Sequence, residues 1–144
     1  MSLAARKNFA QQYANTYLET SISEASPHRL IELLYEGAMK NLKLSKIFIE
    51  QKNYEKKSEH LNKTLSIVIS LREGVSLDKG GDVAQNLYAL YDYCYRRLVK
   101  ASIKNDIEIL DEVLGYIAEL SEAWKQIPDN YKKLSKDSLD KLAS

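Results

Sequence analysis

Apolar side chains recur at intervals of three and four residues in four segments of the chain, and no segment shows the strict alternation of a half-buried strand. This spacing puts the apolar side chains of each segment on one face of an α-helix. The predicted helices span residues 27–51, 54–74, 81–104 and 106–126. The hydrophobic pattern therefore predicts an all-α protein.

Start and stop signals mark the ends of these helices. Ser26 followed by Pro27 is a hydroxyl N-cap with proline at the first helical position. Gly74 suits a left-handed C-terminal residue, and Gly80-Gly81 opens the third helix. Asn105 to Glu108 has the form of a capping box, in which Asn105 is the N-cap and Glu108 bonds back to it. These signals predict four separate helices rather than fewer, longer ones.

The predicted helices are joined by only a few residues, which makes successive helices antiparallel neighbours. We therefore expect an antiparallel up-down four-helix bundle over residues 26–127. Residues 1–25 are expected to form an N-terminal capping arm or short helix outside the bundle, and the polar residues 128–144 a flexible tail.

Composition and charge narrow the class of protein. A chain of 144 residues is one domain in size, and 5 Gly and 2 Pro are too few for a turn-rich β protein. The formal net charge of +1 provides no global field for nucleic acid or an anionic membrane. No signal sequence or membrane span is predicted, and the single Cys94 agrees with a reducing cytoplasm. We expect a cytoplasmic protein without membrane insertion.

Residue patterns typical of catalysis or metal binding are not found. Neither histidine completes the Glu-x-x-His motif of a di-iron bundle, and the chain has too few Cys and His for a zinc site. Glu32 and Glu36 are one turn apart, but Glu36 precedes Lys40 by four residues, which favours an exposed ion pair. Basic clusters are interleaved with acids, as at Asp92 and Arg96. We predict no catalytic site, no cofactor, no metal and no nucleic-acid binding, and treat an enzyme as the poorest alternative.

Tyrosine is the unusual feature of the composition. Ten tyrosines stand against two phenylalanines and one tryptophan. Tyr88, Tyr91 and Tyr95 lie along one strip of the third predicted helix. Tyrosines at this spacing either flank the core with their hydroxyls in water or form a groove for a partner protein, because tyrosine offers a large, rigid contact area. Both interpretations stay open at this point.

Three blocks of sequence resemble one family of proteins. Residues 25–38 (ASPHRLIELLYEGA) resemble the opening signature of the FliS flagellar export chaperones, and residues 78–87 (DKGGDVAQNL) resemble their central loop. Residues 90–98 (LYDYCYRRL), then Asn105-Asp106 and residues 123–127 (AWKQI), follow in the order and spacing of the family. The resemblance covers roughly residues 13–127.

This resemblance implies a function. FliS chaperones are four-helix bundles of the bacterial cytosol that bind the C-terminal segment of flagellin one-to-one, prevent premature polymerisation and deliver it to the flagellar type III export apparatus, whose export gate is a further partner. It also implies that an N-terminal tyrosine segment caps an apolar pocket until flagellin displaces it. Tyr13 matches that position, with Phe9 and Tyr17 as neighbours. The alternative is a regulatory adaptor that binds a flagellar gene regulator through the same apolar surface. A flagellar regulator or a co-chaperone is also a candidate further partner.

Overall fold

Four α-helices form the structure, a computed structural model that describes residues 26–127. They are α1 (Pro27–Glu50), α2 (Tyr54–Glu73), α3 (Leu77–Lys104) and α4 (Ile107–Lys125). The all-α class and the four-helix bundle predicted from the hydrophobic pattern are confirmed. The predicted arm with its short helix and the predicted flexible tail lie outside the described residues.

Each helix packs against its neighbours in sequence, and α1 also packs against α4. Contacts between opposite ends give the directions. The ring of His28, at the start of α1, stacks on that of Trp124, at the end of α4. Phe48, near the end of α1, stacks on His60, near the start of α2. The guanidinium of Arg72, near the end of α2, lies over the ring of Tyr88, in the first half of α3. Successive helices therefore run in opposite directions, and the contact between α1 and α4 closes the bundle.

The core consists of the inward-facing side chains of all four helices, at the positions expected from their three- and four-residue spacing. Burying each large apolar side chain contributes about 1.5–3 kcal/mol. The fully enclosed members include Leu42 of α1, Leu61 and Val68 of α2, Cys94 and Leu98 of α3, and Leu110, Val113 and Ile117 of α4.

The N-cap of α1 agrees with the sequence pattern, because the Ser26 hydroxyl accepts a hydrogen bond from the Arg29 amide at 3.2 Å. The end of α1 closes with two bonds that the sequence does not signal. The Asn53 amide donates to the Phe48 carbonyl at 2.8 Å and the Lys52 amide to the Ile49 carbonyl at 3.0 Å. This is a Schellman motif, with Lys52 in the left-handed position at φ 58°.

Two predictions about helix ends are wrong. Gly74 is right-handed, at φ −78°, in the short connection of Gly74, Val75 and Ser76 between α2 and α3, where Val75 packs against the core. Asn105 is not the N-cap of α4; it ends α3 in the left-handed region, at φ 52° and ψ 45°. The N-cap is Asp106, whose carboxylate accepts from the amides of Glu108 and Ile109 at 3.0 and 3.3 Å.

The third helix begins at Leu77 rather than at residue 81. The carbonyl of Ser76 accepts from the amides of Lys79 and Gly80, which closes one helical turn before the predicted start. Gly81 then interrupts the helix at φ 58° and ψ −141°. Regular helix geometry resumes after it, so the predicted boundary corresponds to a kink inside α3.

Candidate partner-binding surface

Tyr91 lies in the core rather than on the tyrosine strip. Its side chain is 2% exposed, and its hydroxyl is 2.6 Å from that of Tyr35 on α1. Burial raises the pKa of both phenols, so both hydroxyls stay protonated. Tyr91 therefore presents no surface to a partner in this conformation, and Tyr88 and Tyr95 are the surface candidates among the three.

Tyr88 and Tyr95 are both half-buried and flank one arginine of the neighbouring helix. The guanidinium carbon of Arg72 lies 5.8 Å from the ring centroid of Tyr88 and 5.6 Å from that of Tyr95. These distances are within the range of a cation–π contact. The arginine thus holds two rings, which are seven residues apart on α3, at the outer edge of the α2–α3 contact.

Carboxylates fix Arg72 in this position. Its Nη1 donates to Asp92 at 3.0 Å, and its Nε donates to Glu73 at 3.0 Å. The hydrogen bond to Glu73, with that to Asp92, raises the pKa of the guanidinium. Asp92 also accepts from Nε of Arg96 at 3.2 Å, which confirms the i, i+4 pairing expected from the sequence. The two tyrosine rings are consequently held by a network and not by isolated contacts.

The same face of α3 continues toward its C-terminus with two exposed aliphatic side chains. Val99 and Ile103 follow Tyr95 at intervals of four residues, and Ile103 is 77% exposed. All four side chains fall within roughly 80° of one another around the helix. Tyr88, Tyr95, Val99 and Ile103 are called the α3 strip below. It is an apolar line bordered by the exposed Lys100 and Lys104.

A second group of tyrosines, not singled out in the sequence, lies where α3 meets α4. The rings of Tyr93 and Tyr116 meet edge to face at 6.2 Å. Glu112 accepts from the Tyr93 hydroxyl at 2.9 Å and from Nε of Arg97 at 2.8 Å. The bond from Arg97, with that from Tyr93, lowers the pKa of Glu112. Only the antiparallel packing of α3 and α4 brings these residues together, and no local motif signals it.

The remaining candidate groups have structural partners. Glu32 and Glu36 both bind Nη1 of Arg29, at 2.7 and 3.3 Å, so Glu36 pairs with an arginine on its N-terminal side rather than with Lys40. Burial raises the pKa of Cys94 to about 11, which keeps its thiol protonated. Within residues 26–127, no group of three or more Cys, His, Asp and Glu is placed to hold a metal ion.

Phe9, Tyr13 and Tyr17, the candidates of the N-terminal arm, lie outside the described residues. None of the four described helices is both long enough and apolar enough to cross a membrane.

Comparisons with known proteins agree with the sequence resemblance. Residues 9–131 match the family model described as flagellar protein FliS. The flagellar secretion chaperone FliS of Vibrio cholerae is 40% identical over 125 residues, covering 87% of this chain and 92% of the relative. That of Salmonella typhimurium is 42% identical over 116 residues, covering 80% and 86%. That of Bacillus subtilis is 38% identical over 117 residues, covering 81% and 86%.

A solved structure supports the fold independently. A crystal structure of a flagellar chaperone from bacteria superposes with a TM-score of 0.65, covering 81% of this chain and 94% of that one. The sequence identity in this comparison is 16%, so it speaks for the fold alone.

Proposed function

This chain belongs to the FliS family of flagellar secretion chaperones, which are not enzymes, and we propose that its client is the C-terminal segment of flagellin. In this proposal it binds that segment one-to-one in the bacterial cytosol, prevents its premature polymerisation and delivers it to the export gate of the flagellar type III apparatus. The family membership is the single observation that carries the proposal.

The α3 strip is the part of the surface that we assign to the client. Its two rings are large and held by Arg72, and its two aliphatic side chains are exposed on the same helical face. Pre-positioned aromatic side chains lose little conformational freedom on binding, which is why they are frequent at protein interfaces. An amphipathic client helix with apolar anchors at i, i+3, i+4 and i+7 is complementary to such a line.

The size of the strip indicates that the client extends beyond it. Tyr88 and Ile103 are separated by roughly 22 Å along the helix axis, at a rise of about 1.5 Å per residue. Segments that fold on binding commonly bury on the order of 1,000–3,000 Å² and use roughly 2–5 kcal/mol of the interaction for their own ordering. One helix on the strip covers only part of this area. We therefore expect a client that follows more than one groove of the bundle and remains releasable.

The chaperone hypothesis is tested by size-exclusion chromatography of the full chain with flagellin fragments. A fragment that contains the C-terminal segment is expected to co-elute as a 1:1 complex, and a fragment without it is not. Equal binding of the truncated fragment would contradict the proposed client.

Two matched substitutions test the assignment of the strip. Ile103 and Val83 are 77% and 76% exposed on the same helix, but Val83 lies about 140° around α3 from the strip. Ile103→Asp is expected to weaken client binding at least tenfold in calorimetry, because it buries a carboxylate in an apolar contact. Val83→Asp is expected to change it less than twofold. Equal effects of the two substitutions would contradict the assignment of the client to the α3 strip. They would not contradict the proposed 1:1 complex.

A further inference from the structure

Three basic side chains follow the α3 strip along its solvent side. Arg96, Lys100 and Lys104 are exposed and recur at intervals of four residues. Each comes directly after a member of the strip, which places it about 100° further around the helix. Leu98, directly before Val99, is buried, so the strip lies between the core on one side and these bases on the other. We call Arg96, Lys100 and Lys104 the basic row.

The two lysines of the basic row have no carboxylate partner within residues 26–127. Asp92, on the same helix, already binds two arginines. Asp106 and Glu108, at the start of α4, form no ion pair with Lys100 or Lys104, and the Asp106 carboxylate caps that helix. Like charges one turn apart are unfavourable on a helix. The free protein therefore has two neighbouring cations whose repulsion a partner's carboxylates would relieve.

Charges that flank an apolar seam influence which helix packs on it. In coiled coils, the residues beside the seam pair with opposite charges on the facing helix and set partner choice and orientation. A client helix packed on the α3 strip, with about 8–10 Å between the helix axes, brings its own flanking side chains within reach of the lysines. The basic row thus favours a client with carboxylates beside its apolar face.

The charge of this flank changes sign along α3. Asp82 and Lys100 are separated by about five helical turns, so they lie on the same flank of the helix. Asp82 is exposed near the start of the strip, whereas Lys100 and Lys104 are exposed near its end, beside Val99 and Ile103. Client carboxylates are attracted to the second end and repelled from the first. The flank therefore distinguishes between the two directions in which a client could lie on the strip.

We propose that the client segment on the α3 strip is an acidic amphipathic helix, whose carboxylates recur at three or four residues and pair with Lys100 and Lys104. This inference rests on the proposed function, because it takes the strip as the client site. Ion pairs at the rim of an interface speed association and fix its register. They add little to equilibrium affinity because they stay exposed to water, which agrees with a client that must later be released.

Lys100→Glu tests this inference in the full chain. It puts a carboxylate four residues from both Arg96 and Lys104, so the thermal midpoint of the free protein is expected to be equal to or above that of wild type. Binding of the C-terminal flagellin fragment is expected to weaken about fivefold at about 50 mM salt, chiefly through slower association. The difference from wild type should fall below about twofold at 1 M salt, where the Debye length is about 3 Å.

Lys43→Glu is the matched control. Lys43 is exposed on α1, between Lys40 and Lys46, and α1 lies across the core from α3. The substitution changes the net charge by the same amount, so it measures the effect of net charge alone, and it should weaken binding less than about twofold at low salt. Equal losses for Lys43→Glu and Lys100→Glu, or a loss at Lys100→Glu that salt does not reduce, would overturn the acidic client.

Charge exchange identifies the paired carboxylate. In a set of flagellin C-terminal fragments with single acidic residues replaced by lysine, at least one is expected to bind Lys100→Glu more tightly than it binds wild type. If none does, the pairing is wrong although the fragment remains a client. If the unmodified fragment does not bind wild type at all, the proposed function fails and the acidic client with it.

Discussion

The hydroxyl groups of Tyr35 and Tyr91 lie 2.6 Å apart inside the bundle and join α1 to α3 across its core. Each is a buried polar group whose hydrogen-bond partner is the other. The pair connects two helices that are not neighbours in sequence. The contributions of the two hydroxyls to the free energy of unfolding are therefore coupled, because removing one hydroxyl leaves the other without a partner in an apolar environment.

We expect Tyr91→Phe to reduce the free energy of unfolding by about 1–3 kcal/mol, since it leaves the Tyr35 hydroxyl buried without a partner. The double substitution Tyr35→Phe with Tyr91→Phe should cost less than the sum of the single substitutions. Urea unfolding followed by circular dichroism measures the cycle. Tyr88→Phe, on the half-buried strip, is the control and should change stability by less than about 0.5 kcal/mol. Additive losses at Tyr35 and Tyr91 would mean that the two hydroxyls do not bond each other.

The kink in α3 depends on Gly81. Its φ of 58° with ψ of −141° is a conformation that residues with a Cβ rarely adopt, although a Cβ there would meet no atom within 4 Å. Gly81→Ala is expected to destabilise the fold by about 1–3 kcal/mol through backbone strain alone. Gly115→Ala is a matched control, because that glycine is helical, exposed and free of neighbours within 4 Å of an added Cβ. It should stabilise the fold by roughly 0.5–1 kcal/mol in thermal unfolding.

The N-cap of α4 is Asp106 in the structure, whereas the sequence pattern predicts Asn105. Asp106→Ala removes the acceptor for two backbone amides and should cost about 1 kcal/mol. Glu108→Gln keeps a group that could complete the predicted capping box and should change stability by less than about 0.5 kcal/mol. Denaturant unfolding of both variants measures the difference. An Asp106→Ala variant as stable as wild type would contradict Asp106 as the N-cap.

The contact of Glu112 with Arg97 and Tyr93 should be visible in the pH dependence of stability. These partners lower the pKa of Glu112 below its ordinary 4.5, so the folded state releases this proton more readily than the unfolded state does. Its contribution is complete above about pH 5.5 and is lost as the pH falls through the folded pKa. Glu112→Gln should therefore be less stable than wild type at pH 7, and the difference should shrink at pH 3.5. A difference that is constant with pH would exclude the ionic contribution.

Much of the fold was predictable because it depends on local spacing. The apolar positions of each helix and the Ser26-Pro27 start are properties of short segments, and they predicted four helices, the bundle and the start of α1. The predictions that were wrong concern the connections between helices. Gly74, Asn105 and the start of α3 each have two plausible local conformations, and the packing of adjacent helices selects between them. A capping signal in the sequence identifies a candidate capping residue, but it does not show which of the two adjacent helices that residue caps.

The candidate surface was predictable only in part. Tyr88, Tyr91 and Tyr95 are close together on a helical projection, yet a rotation of a fraction of a turn places Tyr91 against Tyr35 and the other two against Arg72. The contacts of Tyr93, Glu112 and Tyr116 join residues of two helices, and those of His28 and Trp124 join residues 96 positions apart. The periodicity of residues within one helix does not predict contacts between residues of different helices.

The sequence by itself determined the helical class, the four-helix bundle, the absence of a recognisable catalytic motif and the resemblance to FliS, because each rests on residue types and their local order. The tertiary structure decided which tyrosines lie at the surface and which in the core, where the chain turns and which ionisable groups meet. These depend on the relative rotation and register of packed helices. The tyrosine surface that the composition suggested is thereby reduced to Tyr88 and Tyr95 beside Arg72, with Tyr91 in the core.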